Sequence, residues 1–207
     1  MKSSIPIFPL KLVVFPFSLY PLHIFEPRYK KMINICMEEN SGFGIVSKVN
    51  DEISSVGTYV VINNVLKKYD NGELDIIVKG GERFDIIRYD LHRDGYFVAE
   101  VVDYSDTDSA TDYILLEKMQ SKFEQIIEKV NFTLEKSFWK NYDKTELKSF
   151  KLAEKSGLSL EQQQVLLSLK DENARIAFLI EHFERLNKLI GENAAVKNII
   201  MGDGYIN

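Results

Sequence analysis

The sequence predicts an α+β protein, a β-rich N-terminal half followed by an α-helical half. Three observations carry this. All five prolines lie within the first 27 residues, inside a strongly apolar stretch. Short β-type runs broken by glycine and asparagine then follow as far as residue 103. Beyond it the apolar residues return at intervals of three and four, the period of a helix.

Proline removes a backbone donor and disfavours helix at the residue before it. The opening FPLKLVVFPFSLYPLHIF therefore reads as extended pieces, Ile5–Leu10, Leu12–Phe15 and a third over LYPLHIF. In EPRYKKMINICMEEN the period changes. Glu26 stands at a helix start, Pro27 suits the first helical position, and Tyr29, Met32, Ile33 and Cys36 or Met37 share a face. Asn40-Ser41-Gly42 ends that helix, and FGIVSKV reads as a strand.

A meander comes next. Gly57 introduces TYVVINNVLKKY, and Asn71-Gly72 predicts a type I′ hairpin turn into ELDIIVKG. Gly80-Gly81 reads as a break before GERFDIIRYDL, and HRDG turns into YFVAEVVDY. The short runs and close turns point to a compact barrel or sandwich. SDTDSATD is polar and acidic, a linker or a helix start, which puts domain boundaries at 1–104 and 105–207.

In the second half Leu116, Met119, Phe123, Ile126 and Val130 form a stripe for a helix over 113–131. SFWKNYDK interrupts the helical pattern, and 144–155 reads as a helix ended by Gly157. Ser159 and Gln162 have capping-box form. Asp171 caps a last helix whose face is Ile176, Leu179, Ile180, Phe183, Leu186 and Ile190, with Gly191 as its stop. The tail MGDGYIN reads as loose.

Composition narrows the function classes. The chain is 45% apolar and 28% charged with a net charge of −5. Neither half is basic, which argues against a broad surface for nucleic acid or anionic lipid. The prolines break the apolar start, so it is neither a secretory signal nor a bilayer span. Cys36 is the sole cysteine, a buried helix residue by pattern, and fits a reducing cytoplasm. His23, His92 and His182 show no zinc spacing, and there is no G-x-S-x-G elbow. Gly80-Gly81 precedes a strand and so is no dinucleotide loop. Glu26 and Arg28 read as a helix-start acid and a structural arginine. No catalytic, cofactor or metal residue is expected.

The stretch IPIFPLKLVVFPFSLYPLHIFEPRYKKMI resembles the opening of the Lon protease N-terminal, substrate-binding domain. Pro9-Leu10, Val13-Val14-Phe15-Pro16, Pro21-Leu22 and Phe25-Glu26-Pro27-Arg28 carry the likeness. Gly57-Thr58, Gly81 with Arg83-Phe84, and YFVAEV at 96–101 extend it. LSLEQQQVLL and ARIAFLIEHFERL extend it more loosely into the helical half. The resemblance implies a PUA-like pseudo-barrel followed by a helical bundle, in a bacterial cytoplasmic protein. It also implies a recognition module without the ATPase and protease domains; no G-x-x-x-x-G-K-[ST] phosphate loop occurs in the sequence.

The function expected is therefore non-catalytic binding of unfolded or exposed apolar polypeptide. A separate ATPase or protease and a homo-oligomer are further expected partners, membrane is not, and nucleic acid is disfavoured. Aromatic residues at bends supply the candidate polypeptide-binding set: Phe17, Tyr20, Phe138, Trp139 and Tyr142. Phe15 and Phe25 read as core. The rival readings are a scaffold or assembly factor, and a small-molecule or RNA binder using the PUA-like barrel.

Overall fold

A computed structural model describes residues 3–49 and 52–192. The chain divides into two compact units, Met1–Ser105 and Asp106–Asn207.

The first unit runs β1 (Ser3–Leu10), β2 (Leu19–Ile24), α1 (Pro27–Glu38), β3 (Phe43–Val49), β4 (Glu52–Lys68), β5 (Leu74–Leu91) and β6 (Phe97–Asp103). The sheet order is β2-β5-β4-β3-β1-β6, and β6 also pairs with β5. Five strands thus close on themselves, and β2 adds to the first half of β5. The β1–β3 pair is parallel, as the intervening helix α1 allows.

Closure needs a thin interior. Ile7, Val46, Phe84, Ala99 and Val101 form the core inside the ring. Phe84 fits because Gly44 and Gly57 face it. A Cβ on either would lie 2.6 Å from its Cζ atom. The second core lies on the other face, where Tyr29, Met32, Ile33 and Cys36 of α1 pack against Phe8, Ile45, Val60, Ile76 and Val78. The α1 helix ends as a Schellman motif: Asn40 has φ 50°, Ser41 N–H donates to Cys36 O at 2.9 Å, and Asn40 N–H donates to Met37 O at 3.4 Å.

Three expectations for this unit change. Leu12–Phe15 forms no strand; Val14 O accepts instead from the buried Thr58 hydroxyl at 2.6 Å, and the segment crosses the sheet. Gly80-Gly81 does not divide two strands, because β5 runs through it. The Asn71-Gly72 turn is not type I′. Only Gly72 has positive φ there, at 81°. Gly72 N–H donates to Tyr69 O at 2.9 Å and Tyr69 N–H to Glu73 O at 3.0 Å. This is the three-residue loop with a left-handed glycine after a type I turn. His92–Tyr96 repeats it: Gly95 has φ 86° and donates to His92 O at 2.8 Å.

The second unit holds α2 (Tyr113–Lys129), α3 (Lys136–Lys144), α4 (Lys148–Ala153), α5 (Leu160–Ser168) and α6 (Glu172–Glu192). Asp112 caps α2, accepting from Ile114 and Leu115 N–H. Ser159 and Gln162 form the expected capping box, and Asp171 accepts from Ala174 N–H at 2.8 Å. Residues 136–144 are helical rather than an interruption, since a helical turn drops Phe138 and Tyr142 onto one face. The helix expected over 144–155 is correspondingly shorter. Helix α6 also continues through Gly191, so that glycine is not a stop. The tail MGDGYIN lies outside the described residues.

Arg175 organises this unit from within. Its side chain has no solvent exposure. The guanidinium donates to Glu172 at 2.8 Å, Ser149 Oγ at 3.1 Å, Leu169 O at 2.7 Å and Asp106 at 2.8 Å. It also lies over the Phe150 ring at 4.5 Å. Every donor thereby has an acceptor, as a buried charge requires.

Candidate functional site

Residues 13–25 wrap the β2–β5 edge of the first unit. Val13, Val14 and Phe15 are buried. The chain then crosses β5 at Gly80, where a Cβ would lie 2.2 Å from Phe15 O. Two hydrogen bonds clamp the crossing: Phe17 N–H to Gly80 O and Gly80 N–H to Ser18 O, both 2.9 Å. Ser18 N–H closes a turn onto Phe15 O at 3.3 Å. Pro16 and Phe17 are its central residues, and Phe17 has φ 65°. A turn with proline first and positive φ second normally takes glycine or asparagine at the second place. Here that place holds a phenylalanine that is 54% exposed.

From this turn β2 alternates. Tyr20 and Leu22 pack against the second, helix-covered core, and Ile24 belongs to it. Leu19, Pro21 and His23 face solvent. Leu19 is 55% exposed and, just past the strand, Phe25 is 57% exposed. The outward face continues sideways, with Leu19 opposite Lys79 and Lys79 opposite Val61, which is itself 45% exposed. Phe25 corrects the expectation of a core residue. It precedes the cap of α1, where an apolar side chain usually packs on the fourth helical residue; that residue is Lys30.

The far end of the strip is polar. His23 Nδ1 lies 2.7 Å from Asp75, and Tyr69 Oη donates to the same carboxylate at 2.8 Å. The His23 hydrogen bond, then that from Tyr69, holds the Asp75 carboxyl below its usual range. Glu73 lies 3.4 Å from His23 Nε2. The Phe25 ring stacks on His23 at 5.9 Å, and Tyr69 meets His23 edge-on. Both imidazole nitrogens face carboxylates and no nucleophile, so the group is a clasp between β2 and the β4–β5 hairpin. Among the described residues no His, Cys, Asp and Glu converge as a metal-binding group.

The sequence set thus divides. Phe17 is exposed and Tyr20 is half-buried against the helix-covered core. In the second unit Phe138 and Tyr142 are buried at 8% and 4% exposure, with Trp139 half-buried beside them. Their rings join Phe123 and Phe183 in one aromatic cluster, with centroids 5.5–6.3 Å apart. Burial pushes the Tyr142 hydroxyl up to about 12. The paired reading of Glu26 and Arg28 as structural fits the geometry: Arg28 Nη2 lies 2.7 Å from Glu26. Leu19, Phe25 and Val61 were missed as exposed groups. For Phe25, the lysine at 30 was the available signal.

A small closed sheet followed by a helical unit is an architecture with known relatives. Residues 4–185 match the family model for the ATP-dependent protease La (LON) substrate-binding domain, and the chain belongs to that family. The crystal structure of a Lon N-terminal domain protein from Xanthomonas campestris superposes with a TM-score of 0.68 at 26% identity, covering 86% of this chain and 98% of that one. The N-terminal domain of Mycobacterium avium complex Lon protease shares the fold with a TM-score of 0.66 at 18% identity, covering 88% of this chain and 98% of that one. Lon protease of Flavobacterium johnsoniae is 28% identical over 184 residues, 82% of this chain and 22% of that protein. Lon protease 1 of Bacillus subtilis is 28% identical over 137 residues, 61% of this chain and 18% of that protein. The chain therefore spans about a fifth of these curated relatives. No helix among the described residues is long and apolar enough to cross a membrane.

Proposed function

We propose that this chain is a non-catalytic module that binds exposed apolar segments of other polypeptides, using the strip formed by Phe17, Leu19 and Phe25 on and beside β2. The observation that carries the reading is Phe17. A bulky side chain at positive φ is conformationally costly, and this one gains little burial in return. Strain at an exposed aromatic residue is what a presented binding group would show. The neighbouring Leu19, Val61 and Phe25 widen the apolar surface, and scattered single groups would not. The family's description as a substrate-binding domain supports the same reading. Of the expected aromatics in the second unit, Phe138 and Tyr142 are buried and Trp139 is half-buried, so the proposal does not extend to them.

The test uses a reduced, alkylated reporter protein that stays unfolded. The native chain binds it, and Phe17→Gly together with Leu19→Ser weakens binding by at least about tenfold, the scale of one or two buried apolar side chains. Phe17→Gly also relieves the backbone, so its folded state persists. Undiminished binding by this pair would refute the assignment to β2; absence of reporter binding by the native chain would refute the function.

A further inference from the structure

The β4–β5 ladder ends at Val56 opposite Asp85. Both strands continue past that point, each held on one side only. Residues at the start of β4 pair with β3, through Ile53 with Lys48 and Glu52 with Val49. Residues Ile86–Leu91 of β5 pair with β6. Among the described residues no strand pairs with their facing edges. Between them lies an open cleft, lined by Ile53, Ser54 and Ser55 from β4 and by Ile86, Ile87 and Tyr89 from β5. An extra residue in β5 between Ile86 and Arg88 shifts the register against β6, and such bulges turn a strand away from its neighbour.

We propose that this cleft accepts an extended, uncharged polypeptide segment as an added strand between β4 and β5. The inference deepens the polypeptide-binding reading and rests on it, but names a second place and a backbone mode of recognition. Two facing strand edges select an extended backbone, because each carries amide and carbonyl groups that must find partners when covered. The charge of the cleft selects against charged segments. Arg88 is its one charged lining residue, and Glu100 on β6 answers it at 2.9 Å. Ser54 is bonded to Ser47 at 2.8 Å. The inner wall is apolar, since Ile53 and Ile86 pack against the core inside the ring and Tyr89 meets Phe97 edge-on at 5.4 Å. A seated strand would put alternate apolar side chains on that wall and the others in water. The outer edge of β2 is a poorer host, because Pro21 sits at its middle and removes a donor.

The probe is a peptide of eight residues alternating valine and threonine, with a lysine-amide tail for solubility. A second copy carries N-methyl groups on alternate backbone amides, which removes donors from one edge while keeping every side chain. The first peptide binds at concentrations on the order of 100 µM or below and slows hydrogen exchange at the Ile86–Leu91 amides; the methylated copy binds at least about tenfold more weakly. Equal binding of the two peptides, or slowed exchange elsewhere and not at 86–91, would overturn the cleft. So would capture of the unfolded reporter without either peptide, and that result would leave the β2 proposal standing. Failure of both probes would remove the two proposals together.

Discussion

The two units treat their phenylalanines differently. The β unit fills its ring with Phe84, buries Phe8, Phe15 and Phe43 elsewhere, and leaves Phe17 and Phe25 more than half exposed. The helical unit gathers Phe123, Phe138, Phe150 and Phe183 inside, each at 8% exposure or less. A closed ring of five strands has little interior volume, so apolar residues beyond its capacity go to the helix-covered face or outward. A helical bundle has room between helices for several rings. Phenylalanine in the helical half therefore marks core, whereas in the β half the same residue type marks core at Phe8, Phe15, Phe43 and Phe84 and surface at Phe17 and Phe25.

The contrast is broken most severely at the centre of the helical unit. Arg175→Ala leaves Glu172, itself 6% exposed, as a buried carboxylate without its cation. The expected loss is about 3–5 kcal/mol in chemical denaturation. Adding Glu172→Gln to that variant restores part of it, because the stranded charge is gone. If Arg175→Ala alone costs under ~1 kcal/mol, a buried ion network does not hold this unit together. The weak point of the β unit is volume. Gly44→Ala places a Cβ against Phe84 and 3.0 Å from Ile7 Cγ2, and should cost about 1–3 kcal/mol by overpacking. Phe84→Leu in the same chain should recover part of that, a coupling that a double-mutant cycle measures. Additive losses would mean that the ring interior has slack.

Sequence legibility follows the same division. Helix starts and caps were readable, since Pro27, Ser159 and Asp171 act within three residues of themselves. Strands β3 and β6 and the inward face of α1 were readable from pattern. The crossing at Phe15–Ser18 was not, because it depends on Gly80 and Thr58, distant in sequence. Nor was the outward face of β2: LYPLHI is apolar at nearly every position, so alternation could not say which side is buried. Leu19 and Tyr20 look alike in the sequence and differ only in what lies beneath them. The aromatic trio in α3 failed to declare itself for the same reason, since its fate depends on Phe123 and Phe183 being near.

His182 separates the units by pH. Burial lowers its pKa despite the hydrogen bond to Ser156 O at 2.8 Å. The unfolded chain therefore binds a proton that the folded unit resists. Stability is full above the unfolded value near pH 6.5 and falls as the pH drops through and below it. Chemical denaturation at pH 7.5 and 5.5, followed by Trp139 fluorescence, should show the helical unit weakening. His182→Gln should flatten that part of the profile. An unchanged slope in this variant would assign the effect to carboxylates instead.

The smallest effect sharpens the comparison most. Each unit holds a non-glycine residue at similar positive φ, Phe17 at 65° and Asn131 at 55°. Asparagine tolerates that region well, and Asn131 ends α2 much as Asn40 ends α1. Asn131→Gly should therefore change stability by no more than about 0.5 kcal/mol. Phenylalanine does not tolerate it, so Phe17→Gly should raise stability by up to about 1 kcal/mol, less the entropy glycine adds to the unfolded chain. A gain at 17 without one at 131 would show that the β unit carries strain for its exposed ring. A loss at 17 would mean that the ring is held by packing, and the case for a presented binding group would go with it.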